Sequence, residues 1–141
     1  MIDIYTATQT LLEAIVLVGT NVSAYVLKYD TEKDQFILPD FPAVTYNYAN
    51  MTPLVSFSGT SNLYRVELDV EVWGDLGQID ENAKMIESML NGQRVTVENV
   101  LFTIVMMESQ DIAELGLDFK RRRMRFTGIV DVDNAAEDIS N

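Results

Sequence analysis

Apolar and polar residues alternate without interruption in the middle of the chain. The apolar positions are Tyr64, Val66, Leu68, Val70 and Val72, and the intervening positions are Arg65, Glu67, Asp69, Glu71 and Trp73. A period of two is typical of a β-strand that buries one face and exposes the other. We therefore predict a long strand here, with Val66, Leu68 and Val70 in the core.

Two other segments repeat apolar residues at the spacing of an α-helix. The repeating positions are Ile4, Leu11, Ile15 and Val18 within residues 3–18, and Ile79, Ala83, Ile86 and Leu90 within residues 75–91. Asp3 is suited to cap the first helix, and Gly92 is suited to end the second. The pattern predicts two amphipathic helices, one on each side of the long strand in sequence.

Shorter β-prone runs flank these elements. They cover residues 25–29, 36–38, 43–48, 54–57, 94–107 with a turn near Glu98, and 117–132, with a connection at 109–116. Strands that are not interleaved regularly with helices favour an antiparallel sheet. We predict an α+β fold, in which an antiparallel β-sheet of about four to five strands is packed by two main helices. The single domain spans residues 1–130, and residues 131–141 form an acidic tail.

The composition excludes several kinds of active site. The chain of 141 residues has no cysteine and no histidine, and its formal net charge is −12. Thiolate metal sites and Ser-His or Cys-His nucleophile pairs are therefore excluded. We expect no enzyme activity, no cofactor and no metal. We also expect no secretory signal, because the first basic residue is Lys28, and no membrane segment, because the longest apolar stretch near the start, Ala14 to Val18, is too short to span a bilayer.

Half of the basic residues fall in the short run KRRRMR at 120–125. Such a run could bind nucleic acid. On a strand, however, Arg121, Arg123 and Arg125 would share one face, whereas Met124 and Phe126 would lie on the other. A sheet with one polar face explains the run better.

An acidic stripe with the same spacing offers the arginines a partner. Glu67, Asp69 and Glu71 lie on the polar face of the long strand. If the two strands are antiparallel neighbours, the stripes would form cross-strand ion pairs. The pairing could lie within one subunit or cross a subunit boundary.

Other side chains admit two interpretations. Glu67, Asp69 and Glu71 could hold a hard cation, but alternate residues of a strand lie roughly 6.5–7 Å apart, so a salt-bridged face is favoured. Trp73 could be buried at an interface, or it could cover its neighbours' side chains. Methionines 85, 89, 106 and 107 are expected to fill the core.

Three motifs resemble a known family. They are FPAVTYNYA at 41–49, TPLVSFSGTSNLYRVELDVEVWG at 52–74, and LGLDFKRRRMRFTGIV at 115–130. Together with the order of elements, they resemble the tail terminator, or tail-to-head joining, proteins of long-tailed bacteriophages. The similarity covers roughly residues 3–130.

The resemblance implies a structural virion protein without cofactors. It implies a homo-hexameric ring that caps the tail tube, stops its polymerisation and joins the tail to the head connector. The partners would be other copies of the chain, the major tail tube protein and the head connector or stopper protein. Genome DNA would pass through the lumen without specific binding. The protein would lie at the tail–neck junction of the virion, and in the host cytoplasm during assembly.

Two sets of residues are expected to meet partners. The subunit interface would include Glu67, Asp69, Glu71, Trp73, Arg121, Arg123 and Arg125. A docking loop of small and polar residues would include Met51, Thr52, Pro53, Ser58, Gly59, Thr60, Ser61 and Asn62. The nearest alternative is another neck ring, such as a head-completion or stopper protein. The alternative from a different class is a metal-dependent hydrolase or nuclease that uses Glu67, Asp69 and Glu71.

Overall fold

Two helices and eight strands follow one another in the parts of the chain that the structure describes. This computed structural model describes residues 2–24, 28–33, 35–37, 40–54, 62–113 and 120–132. The elements are α1 (Ile4–Ile15), β1 (Asn21–Ala24), β2 (Lys28–Asp30), β3 (Gln35–Ile37), β4 (Ala43–Pro53), β5 (Leu63–Gly74), α2 (Leu76–Leu90), β6 (Arg94–Val97), β7 (Val100–Ala113) and β8 (Lys120–Asp131).

Six of these strands form one sheet in the order β1-β4-β5-β8-β7-β6. All neighbours in it are antiparallel except β1 and β4, which run parallel. Strands β2 and β3 pair with each other in a separate antiparallel hairpin. The predicted single α+β domain is confirmed. The main sheet has more strands than predicted, and it is mixed, because the short strand β1 joins it in parallel.

The core lies between the helices and one face of this sheet. Val66, Leu68 and Val70 of β5 are buried, as predicted from the alternation. Ile79, Ala83, Ile86 and Leu90 of α2 and Ile4, Leu11 and Ile15 of α1 pack in the same cluster. This apolar burial holds the two layers together. The other face of the sheet carries the charged stripes.

The helices begin where their caps predict. The side chain of Asp3 accepts a hydrogen bond from the backbone N–H of Thr6 at 2.7 Å. Asp75 and Gln78 form a capping box at the start of α2. Gly92 follows that helix with φ of 75°, a conformation that glycine adopts without the penalty of a side chain.

The first helix is shorter than the predicted range of 3–18. It ends at Ile15, and Val18 is fully exposed. The backbone N–H of Leu17 donates instead to Oδ1 of Asn82 in α2, at 2.8 Å. This bond from the segment after α1 to helix α2 replaces a further turn of α1, so the prediction for Val18 is wrong.

Part of the expected docking loop is a strand. Met51, Thr52 and Pro53 belong to β4 and pair with Val66, Arg65 and Tyr64 of β5. A bulge between Tyr48 and Asn50 interrupts the alternation along β4, which explains why its second half looks irregular in sequence. Asn62 lies just before β5, and its carbonyl accepts a hydrogen bond from the N–H of Val132. Ser58, Gly59, Thr60 and Ser61 lie outside the described residues, as do residues 133–141 of the expected tail.

The end of β7 and the methionines also depart from expectation. The strand continues through Ala113, so most of residues 109–116 is not a connection. Met85, Met89 and Met107 have 39 %, 49 % and 57 % of their surface exposed, whereas Met106 is partly buried. The expectation that these methionines fill the core is therefore wrong for three of the four. Neither α1 nor α2 is long and apolar enough to cross a membrane, and the described residues contain no other helix.

Candidate functional site

The two charged stripes lie side by side on β5 and β8. These strands are antiparallel neighbours, and the register places Asp69 opposite Arg125 and Glu71 opposite Arg123. The predicted cross-strand pairing is therefore confirmed within a single chain. Whether part of it also crosses between subunits stays a prediction.

Asp69 and Arg125 form the best-aligned pair. Nε of Arg125 donates to Oδ1 of Asp69 at 2.7 Å, and Nη2 donates to Oδ2 at 3.0 Å. Two parallel hydrogen bonds fix the orientation of both groups. They also raise the pKa of Arg125 above its ordinary value, mainly through the hydrogen bonds and charge of Asp69.

Glu71 pairs diagonally rather than with the residue directly opposite. Its Oε2 accepts a hydrogen bond from Nη1 of Arg121 at 2.9 Å, and its side chain is 12 % exposed. Burial raises the pKa of Glu71, and the charges of Arg121 and Arg123 lower it by less. The ionised carboxylate is therefore held at some cost in solvation.

Arg123 is less tightly held than its neighbours. It donates one hydrogen bond to Oε1 of Gln110 at 3.2 Å, and its nearest carboxylate oxygen, on Glu108, is 3.9 Å away. Its Nε is buried and has no hydrogen-bond partner among the described residues. With one hydrogen bond to a neutral amide and no carboxylate oxygen closer than 3.9 Å, the Nη groups of Arg123 retain capacity for an additional contact.

Glu67 has no ion-pair partner within the described part of the chain. The residue opposite it on β8 is Thr127, whose hydroxyl donates to the carbonyl of Val66 at 3.3 Å. Two ion pairs therefore join the acidic stripe to the basic stripe, Asp69 with Arg125 and Glu71 with Arg121. Glu67, at one end of the acidic stripe, and Arg123, between the two paired arginines, belong to neither pair.

Trp73 is buried within the chain itself, with 1 % of its surface exposed. Its indole N–H donates to Oγ1 of Thr45 at 3.0 Å. The ring of Phe41 stacks on it, with centroids 6.2 Å apart, and the guanidinium of Arg121 lies 4.9 Å from its centroid. Phe41 and Arg121 therefore cover Trp73, whereas the sequence suggested that Trp73 would cover its neighbours. Its place at a subunit interface stays a prediction, and it could act there only through the groups stacked on it.

Several of these partners could not be identified from the sequence alone. Thr45, Gln110 and Phe41 contribute to the site, but nothing in their spacing marks them. On the opposite face of β8, Arg122 bridges Asp80 of α2 and Asp111 of β7, at 2.8 and 2.7 Å. The alternation predicted that Arg122 lies on the apolar face. It could not identify Asp80 and Asp111 as its partners, because both come from distant parts of the sequence.

The arrangement offers no evident metal site. The described residues contain no group of three acidic side chains that could hold an ion. Both oxygens of Asp69 already accept hydrogen bonds from Arg125. A depression of about 100 Å³ lies beside them and is lined by Thr45, Asn47, Asp69 and Glu71.

No protein-family model matches the sequence, and no curated protein is significantly similar to it. The likeness to phage tail terminators therefore rests on the three motifs and their order along the chain.

The two central strands carry a balanced set of charges on this polar face. The set comprises Arg65, Glu67, Asp69 and Glu71 on β5, and Arg121, Arg123, Arg125 and Asp131 on β8. Acids and bases are equal in number there, although the whole chain has a formal net charge of −12. Negative charge is therefore concentrated elsewhere on the molecule. The charges of β5 and β8 on this face therefore add no net repulsion against a second copy.

Proposed function

We propose that the protein is a tail terminator, a structural component that forms a homo-hexameric ring at the head-proximal end of a phage tail. The observation that carries the proposal is the balanced polar face of β5 and β8. A face with both signs of charge in fixed positions suits contact between copies, since complementary charges set register and reject wrong partners.

The mechanism is geometric. Rings that add head to tail would otherwise grow into an open filament. One face of the terminator ring matches the end of the tail tube, and the other does not accept a further tube ring. That second face meets the head connector instead. No catalytic step is involved, and the acidic charge of the chain favours passage of DNA over its retention.

The first test examines the genes beside the one that encodes this chain. We expect genes for a tail tube protein and a tape-measure protein. Deleting the chain's gene should then give overlong tubes that do not join heads, as measured by electron microscopy. Tails of normal length that carry heads would contradict the proposal.

The second test separates the other candidates. Purified protein incubated with Mg²⁺ or Mn²⁺ and duplex DNA should leave the DNA intact, and cleavage would favour the hydrolase alternative. Tubes of normal length without heads in the deletion strain would favour a head-completion or stopper ring. The proposed terminator alone predicts loss of length control.

A further inference from the structure

The outer side of β7 is only partly covered. Strand β7 runs for 14 residues, but β6 pairs only with residues Val100, Leu101, Phe102 and Thr103. Two further bonds follow: Gly92 N–H donates to the carbonyl of Ile104 at 2.9 Å, and Met106 N–H donates to Oδ1 of Asn91 at 2.8 Å. Within the described residues, no strand covers this side of residues 107–113, which we term the open edge.

The backbone of the open edge is oriented for pairing. A bulge between Met106 and Glu108 adds Met107 to β7. Met106 points its N–H away from β8, and beyond the bulge Ser109 and Asp111 share the face of Met106. Residues that share a face of a strand point their backbone groups in the same direction. Ser109 and Asp111 therefore direct N–H and C=O groups outward, and both residues are exposed.

Helix α2 forms one wall along this edge. Asp80, Lys84, Glu87 and Asn91 recur at helical spacing on one side of α2. Arg122 forms ion pairs with both Asp80 and Asp111, and the side chain of Asn91 accepts the hydrogen bond from the N–H of Met106. Lys84 and Glu87 lie between these two anchors and are exposed, so they overlook the open edge.

The other wall is the sheet face that carries Val105 and Met107. These side chains are 48 % and 57 % exposed, and Glu108 is exposed beside them. The charged groups around the edge are Asp80, Glu87, Glu108 and Asp111 against Lys84, Arg122 and Arg123, the last of which approaches Glu108 to 3.9 Å. Acids therefore outnumber bases by one, and apolar contact area is available on one side.

We propose that the open edge of β7 binds an extended, positively charged segment of a partner protein, which adds a strand to the sheet. Backbone hydrogen bonds would supply affinity, and alternate side chains would contact Val105 and Met107 or the surrounding acids. A second copy fits less well, because it brings a formal net charge of −12 to an acidic edge. This inference does not depend on ring formation.

The test uses a labelled synthetic peptide of alternating Lys and Val, about as long as the open edge, with fluorescence anisotropy on the full-length chain. Ser109→Pro removes the outward N–H and leaves the bonds to β8 in place. We expect about tenfold weaker binding to Ser109→Pro than to the control Ser109→Ala. A peptide with Glu in place of Lys, and one with N-methylated amides, should not bind the wild-type chain.

Hydrogen exchange gives an independent measurement. The amides of Ser109 and Asp111 should exchange rapidly in the free protein and slowly with the Lys-Val peptide. The amide of Gln110, which faces β8, serves as the internal reference. Equal peptide affinity of folded Ser109→Pro and Ser109→Ala, or binding of the N-methylated peptide, would overturn the proposal. So would protection of Ser109 that rises with protein concentration alone, since the occupant would then be a second copy.

Discussion

Arg125 and Asp69 face each other across β8 and β5, and the guanidinium donates to both carboxylate oxygens, at 2.7 and 3.0 Å. Their positions are far apart in sequence, and the register of the two strands brings them together. The pair is only partly shielded from water, with side chains 30 % and 15 % exposed. It therefore fixes geometry more than it stabilises the fold.

Exchanging these two residues tests the pair directly. Asp69→Arg places two guanidinium groups together and should lower the free energy of unfolding by more than about 1 kcal/mol. The double variant with Arg125→Asp should recover most of that loss. Chemical denaturation measures both. Asp69→Arg combined with Arg123→Glu is the matched control and should recover less, because Arg125 rather than Arg123 contacts Asp69. Equal recovery by both combinations would argue against a specific pair.

Gly128 of β8 allows β7 to approach closely. A Cβ at this position would clash with the carbonyl oxygen of Thr103 and lie 2.8 Å from Cα of Ile104. Backbone atoms of a central sheet cannot move aside cheaply, so Gly128→Ala should lower the free energy of unfolding by about 3 kcal/mol. Thermal or chemical denaturation measures it.

Gly77 in α2 provides the control for this substitution. A Cβ there would meet only Oδ1 of Asp75 at 3.5 Å, which is ordinary contact. Alanine favours a helix over glycine, so Gly77→Ala should leave stability unchanged or raise it by about 0.5 kcal/mol. If Gly128→Ala were as well tolerated as Gly77→Ala, β7 and β8 would have to lie farther apart than described.

The largely buried carboxyl of Glu71 predicts a specific pH dependence. Its pKa is raised in the folded protein above the ordinary value of 4.5, chiefly by burial. The folded state therefore binds this proton more tightly than the unfolded state does. The resulting stabilisation is fully present below the unfolded pKa and is lost as the pH rises through the folded pKa.

Glu71→Gln removes this titration and retains a side chain of similar shape. We expect the stability of the wild type relative to Glu71→Gln to fall as the pH rises above about 4.5. Denaturant melts of both proteins across that range provide the measurement. A difference that rises with pH would show that Arg121 and Arg123 outweigh burial at this carboxyl.

The sequence predicted the long strand β5 well because one signal dominated there. Alternation over the whole strand leaves only one way to bury Val66, Leu68 and Val70. The sequence did not predict the end of α1, because the apolar residues Leu17 and Val18 extend the helical pattern. In the structure, the backbone N–H of Leu17 donates to the side chain of Asn82 in α2. A tertiary contact of this kind cannot be recognised from the local sequence.

The same limit applies to the candidate site. The spacing of the stripes predicted that β5 and β8 would pair. It did not predict that Glu71 would form its ion pair with Arg121, which is diagonal to it, because that ion pair depends on Trp73, whose ring lies under the guanidinium of Arg121. The strand character of residues 109–113 depends on pairing with β8, since a polar segment has little strand preference by itself.

Arg123 is the residue that best distinguishes an assembly surface from a solvated one. Its contacts within the chain are a hydrogen bond to Gln110 and an approach of 3.9 Å to Glu108. Losing them should change the free energy of unfolding by no more than about 1 kcal/mol.

If the polar face joins subunits, Arg123→Glu should nevertheless harm assembly, because a reversed charge at a desolvated contact is costly. Lys33→Glu makes the same charge change in the exposed turn between β2 and β3 and serves as the control. Circular dichroism should show both variants folded, whereas electron microscopy should show overlong, headless tubes only for Arg123→Glu. Normal tails with Arg123→Glu would mean that this face is merely solvated and that the subunits meet elsewhere.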